Sequence, residues 1–297
     1  MATLNDMVDE VSLHLSGYGM RNEALTHITG AITASATQLT VGSAESVGKG
    51  LVEIDDELMW VDSFDRTANT ITIAPYGRGY NGSTAATHAQ NTKVVISPVF
   101  TRKAIKTAIN DTIQAVGSQL FGVGSTTFTS SVAVSTYALP ANMDTVVSVS
   151  FQAIGPTKEW VPVRGYRIDK AASVSEFGSP NTITINSFVD PSATVQVTYT
   201  FDPEVLESNT DDFEITSGLP ASTKDVIILG AAYRLLSFVD PGRLNYMSAE
   251  ANSQAAAVPY GSGTNTAKYV YALFTQRLKE ESDKLFVKFP VRVHYTN

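Results

Sequence analysis

Apolar positions along the chain switch between two periods, and each switch marks a change of structure. Over residues 4–16, Leu4, Met7, Val8, Val11 and Leu15 recur at helical spacing, with Asn5, Asp6, Asp9 and Glu10 off that stripe. The acids near its start favour the positive end of a helix dipole, and "SGYG" from Ser16 ends it. From 28 to 98 the period becomes two. "QLTV", "GLVEIDDELMWVDSF", "NTITIAPY" and "TKVVISPVF" read as short strands between turns. Val52 and Ile54 alternate with Glu53 and Asp55, and Leu58 and Trp60 with Met59 and Val61, which predicts a hairpin around Asp55, Asp56 and Glu57.

Helical spacing returns over 100–120, where Phe100, Ile105, Ala108, Ile109, Ile113 and Val116 share a face. Residues 126–201 are again β-like, with turn signals "LPANMD", "GSPN" and "VDPSA". An acidic connector follows at 202–221, read as solvated. The end is helical: "TKDVIILGAAYRLLSFVD" is apolar nearly all round, "NYMSAEANSQAAAV" is short, and "TAKYVYALFTQRLKEESDKLF" is long. In the last, Val270, Tyr271, Phe274, Leu278 and Leu285 should face inward, and Glu280 should pair with Lys284 at i,i+4.

These elements predict an α+β fold: a helical bundle core of four main helices carrying two inserted antiparallel β-domains, each a small barrel or sandwich. The expected segments are an N-terminal core helix (1–27), a first β-domain (28–98) and a second core helix (99–122). A second β-sandwich domain (123–210), the C-terminal core helices (211–290) and a C-terminal extension (291–297) follow.

Composition narrows the function. With 43% hydrophobic and 17% charged residues the chain is an ordered globular protein. It has no cysteine, so thiolate chemistry and Cys-ligated metals are excluded. Its net charge of −8 leaves no basic footprint for gripping DNA. Arg102, Lys103 and Lys106 form the densest basic group and read as a solvated helix face. No Sec-type leader or membrane-spanning run is expected, and synthesis in a cytoplasm follows.

The candidate chemistry is thin. "PYGRGYNGSTAATHA" contains G-x-G-x-x-G at Gly77, Gly79 and Gly82, the spacing of a dinucleotide loop. Only ten residues separate Gly82 from the strand at Lys93, too few for a βαβ crossover, so the glycines are read as a turn. Asp55, Asp56 and Glu57 read as acids of a hairpin tip that point different ways, without a ligand partner. His14, His27, His88 and His294 form no paired metal motif, and His88 is assigned a loop-orienting role. The expectation is no enzyme, no cofactor and no metal.

The run "GRGYNGSTAATHAQNTKV", with Arg78, Gly79, Gly82, Thr84, Ala85, Ala86, His88 and Ala89, resembles a segment recurring in virion proteins of double-stranded DNA phages. "AAYRLLSFVDPGRLNY" and "AKYVYALFTQRLKEESDKLF", with Tyr271, Arg277, Leu278 and Glu280, are similar to head-to-tail adaptor (connector, neck) proteins of long-tailed phages. That resemblance implies a structural virion protein in the neck. It would form a homo-oligomeric ring, usually a dodecamer, below the portal protein. The ring would extend the channel for genomic DNA without sequence-specific binding, and dock the next neck or tail-terminator protein. The acidic balance agrees with a lumen that does not trap phosphates. Subunit contacts are expected from Arg78 and Tyr80 in the glycine loop. Val291, Val293 and Tyr295 are expected to add as a strand to a neighbour or to pair within the chain's own fold. The alternatives are a minor tail, tail-tip or baseplate protein and, in a different class, a carbohydrate-active hydrolase using facing carboxylates.

Overall fold

The computed structural model describes residues 2–19, 23–156, 158–237 and 262–290. Among these, thirteen strands form three antiparallel sheets. The strands are β1 (Ala24–His27), β2 (Gln38–Thr40), β3 (Gly50–Ile54), β4 (Glu57–Asp65), β5 (Thr70–Ile73) and β6 (Lys93–Ile96), then β7 (Gly122–Thr129), β8 (Thr136–Ala138) and β9 (Met143–Gln152). The last four are β10 (Trp160–Pro162), β11 (Tyr166–Asp169), β12 (Thr182–Ile185) and β13 (Thr194–Phe201). The helices are α1 (Leu4–Gly19), α2 (Arg102–Val116), α3 (Val174–Phe177), α4 (Phe213–Ser217), α5 (Lys224–Ser237) and α6 (Ser262–Lys288).

The chain divides into two compact units. One comprises Leu4–Asp111 and Ile228–Leu273. Its sheet runs β1-β6-β3-β4-β5-β2. Ile28 bridges Val41 beyond the ends of β1 and β2, so the two edges of this sheet are joined as in a barrel. Its interior holds Ile28, Leu39, Val52, Ile54, Met59, Val61, Ile71 and Val94. The alternation of β4 explains this placement: Met59 and Val61 point to one side, and a strand's period of two fixes the rest.

The other unit comprises Met1–Thr3, Thr112–Ile227 and Phe274–Asn297. Its sheets run β10-β9-β13-β7 and β11-β12-β8. Residues of both sheets share one cluster that includes Val146, Val149, Tyr166, Ile183, Val195 and Val197. Asn181 braces it: its side-chain amide donates to the carbonyls of Pro140, Ala141 and Met143 at 3.0, 3.1 and 3.1 Å. Part of the acidic connector is structural rather than solvated. Asp211 accepts from the N–H groups of Glu207 and Ser208, and Asp212 caps α4.

The expected helical-bundle core is corrected by this architecture. The long helices form where apolar spacing put them, but the two hydrophobic clusters are carried by sheets. The fold is β-rich. A helical stripe says that a face is buried, and leaves open what covers it.

Candidate functional site

A densely connected polar site grows from the β3–β4 hairpin. Ile54 pairs with Glu57, leaving Asp55 and Asp56 as a two-residue turn. Asp55 takes a left-handed φ of 51°, as such tight turns require. Glu57 shares strand parity with Met59 and Val61, so its carboxylate points to the side of the barrel interior.

That carboxylate is completely covered, with its side chain 0% exposed. Arg78 clasps it with both arms: Nε donates to Oε1 at 2.7 Å and Nη2 to Oε2 at 2.9 Å. The Gly79 N–H adds a bond to Oε1 at 3.0 Å, and the Ala86 N–H one to Oε2 at 2.9 Å. His88 bridges two acids, with Nε2 2.9 Å from Glu57 Oε2 and Nδ1 2.8 Å from Asp55 Oδ2. Burial pushes the Glu57 carboxyl up, but Arg78, the Ala86 N–H, His88 and the Gly79 N–H outweigh it and hold it at about 2.

Arg78 does more than neutralise Glu57. Its remaining N–H groups donate to the carbonyls of Thr33, Ala36 and Ala86 at 2.8, 2.6 and 2.8 Å. One guanidinium thus ties the 33–36 loop, the hairpin and the glycine loop together. Arg78, expected to contact a neighbouring subunit, has a side chain that is 9% exposed and donates to partners within the chain. Tyr80 is half-buried, its ring 5.2 Å from that of Trp60. Val291, Val293 and Tyr295 lie outside the described residues.

The other two hairpin acids hold α2. Glu53 accepts from the Arg102 N–H at 2.7 Å. Asp56 meets the Arg102 Nε at 3.2 Å and Lys106 at 2.7 Å. Arg102 also reaches Asp9 at 2.7 Å and Asn5 at 2.5 Å on α1. Lys103 donates to the Asn81 carbonyl at 2.8 Å. The basic trio is therefore a set of clamps, and its reading as a solvated face is corrected. Glu53 is nearly covered, and burial pushes its carboxyl up to about 7, against the lowering pull of Arg102.

The glycine loop serves this network. Gly79 and Gly82 have φ of +59° and +75°. A Cβ on Gly77 would stand 2.6 Å from the Trp60 carbonyl oxygen. A 3₁₀ turn at Tyr80–Gly82 follows, and β6 then pairs antiparallel with β3 and β1. No long helix opens from the glycines and no parallel strand follows, so the phosphate-cradling geometry is not built here. No group of three or more His, Cys, Asp or Glu suited to a metal is found among the described residues.

The family model for the SU10 adaptor protein matches residues 83–281, more than half of the 297-residue chain. The chain belongs to the SU10 adaptor protein family. It is a phage structural adaptor, a virion component that interacts with other virion proteins. The comparison with curated proteins gave no match. Within the described residues, no helix of this adaptor is long and apolar enough to cross a membrane.

A second charged cluster of the adaptor lies on α6. Arg277 meets Asp225 of α5 at 2.7 Å, Glu281 at 3.0 Å, and Glu280. Glu281 also takes the Ser222 hydroxyl at 2.9 Å and Lys284 at 2.6 Å. Burial raises the Glu281 carboxyl, but Lys284, Ser222 and Arg277 together hold it below the usual range. Lys284 thus pairs with Glu281, where Glu280 was expected. Tyr271 is half-exposed, its ring 4.8 Å from Tyr233, while Leu278 is buried.

Proposed function

We propose that this adaptor is a head-to-tail connector: a homo-oligomeric ring below the portal that extends the DNA channel and docks the next neck or tail protein. The observation that carries the reading is the family match over 83–281, which covers α2, the second β-unit and most of α6. The polar sites support a mechanical role. The acids of the β3–β4 hairpin are each committed to holding a neighbouring segment, and Arg277 joins α6 to α5. A net charge of −8 suits a lumen along which DNA slides. In the same reading, residues 28–98 and 123–210 act as two β-domains. Tyr80 and the extension with Val291, Val293 and Tyr295 contact neighbouring subunits.

The test is a phage lacking this chain. A connector leaves DNA-filled heads and complete tails that fail to join. Heads joined to tails that lack a tip would assign the chain to the tail end instead.

A further inference from the structure

The four-stranded sheet ends at β7, and that edge differs from every other sheet edge among the described residues. The barrel sheet joins its edges through Ile28 and Val41. β10 is three residues long and ends in Pro162. β11 carries Arg167 and Asp169, and β8 has three residues. These are the ordinary guards of an edge strand: closure, proline, charge and shortness. β7 has none of them. It is eight residues long, "GVGSTTFT", and pairs with β13 without a register shift.

The pairing shows which groups are left over. Ser130 N–H donates to the Ala193 carbonyl, one step beyond the Thr129–Thr194 pair. Hydrogen-bonded pairs alternate in an antiparallel ladder. Gly124, Thr126 and Phe128 therefore turn their backbone groups toward β13, and Val123, Ser125, Thr127 and Thr129 turn theirs outward. The side chains of Ser125, Thr127 and Thr129 are exposed.

Charge points to the occupant. From Thr112 to Met143 the sequence contains no Asp, Glu, Lys, Arg or His, although the chain carries −8 overall. Copies of an acidic protein repel wherever like charges face each other. A long neutral edge is where two copies meet without that penalty. We propose that the outward edge of β7 accepts an extended segment of a second copy of this chain as a fifth strand. The pairing is head-to-tail: two β7 edges meeting each other would close a dimer, whereas a different donor segment propagates a ring. This proposal rests on the ring reading above.

Thr127→Pro tests it. Proline there removes an outward N–H and spares the β13 ladder, so an edge strand tolerates it. Ser125→Lys, a charge on the same edge, is the second variant. Native mass spectrometry and electron microscopy of purified wild-type and variant protein, alone and with portal-bearing heads, give the readout. The expected result is rings from the wild type, at least a tenfold loss of assembly in both variants, and melting temperatures within a few degrees of wild type. Hydrogen exchange should show the Val123, Ser125 and Thr127 amides fast in the monomer and slowed in the ring. Rings from both variants at wild-type levels, or slow exchange already in the monomer, overturn the edge proposal and leave the ring reading standing. A wild type that forms no ring even on portal-bearing heads overturns both. Should Thr127→Pro fail to fold, Ser125→Lys decides.

Discussion

Arg78 holds Glu57 in a two-armed clasp, at 2.7 and 2.9 Å, with the carboxylate fully removed from solvent. Twenty-one residues separate the partners, and three loop carbonyls complete the guanidinium's bonding. Breaking a buried pair from one side leaves a charge with no compensation, at a cost of about 3–5 kcal/mol. Arg78→Ala should therefore destabilise the barrel unit by that order, and Arg78→Lys should recover only part, because an ammonium lacks the fork. Denaturant unfolding of the purified chain checks this. An Arg78→Ala variant as stable as wild type would contradict the arrangement.

The hairpin predicts a pH dependence with two opposing limbs. Glu57 is held at about 2, below its ordinary 4.5. Its contribution is complete above pH 4.5 and is lost as pH falls from there through 2. Glu53 is raised to about 7. Between pH 4.5 and 7 the unfolded chain releases this proton and the folded chain keeps it, so stability falls as pH rises. Glu53→Gln keeps an acceptor for the Arg102 N–H and removes the titration. Its melting temperature should gain on wild type as pH rises from 4.5 to 7, by an amount equivalent to no more than about 3 kcal/mol. Parallel wild-type and variant curves over that range would show that Glu53 does not titrate there.

Substitutions in the glycine loop should separate backbone strain from steric exclusion. Gly82→Ala places a Cβ at positive φ, near only the mobile Lys103 Nζ, at about 1 kcal/mol; Gly79→Ala adds to the same strain a Cβ 2.9 Å from the Ser83 carbonyl oxygen and should cost more. Gly77→Ala drives a Cβ against the Trp60 backbone at 2.6 Å and should cost more than either. Thermal melts of the three single variants give the order, with Gly77→Ala lowest.

In the second unit, Asn181→Ala removes a donor group shared by three carbonyls near the sheet cluster. A loss of about 1–3 kcal/mol is expected. Asn181→Asp should be worse, since an ionised carboxylate has no proton to offer those carbonyls.

Much of the local structure was legible in the sequence. The apolar stripe Leu4–Leu15 is the buried face of α1, and the alternation around "EIDDE" is the β3–β4 hairpin. The acids' roles were not legible, because their partners lie far along the chain: Arg102 is 93 residues from Asp9, and His88 is 31 from Glu57. One signal was available. Glu57 shares parity with Met59 and Val61, and a carboxylate on a core-facing position demands a buried cation. The bundle expectation failed for a different reason. Amphipathic spacing identifies buried faces, but pairing helices that are distant in sequence needs contacts that no periodicity contains.

Cryo-electron microscopy of intact virions locates this adaptor in the particle. A head-to-tail connector would stand there as a ring of this fold between the portal and the first tail component, around the DNA channel. Density for it in the tail tube or at the tail tip, away from the portal, would rule out the connector role.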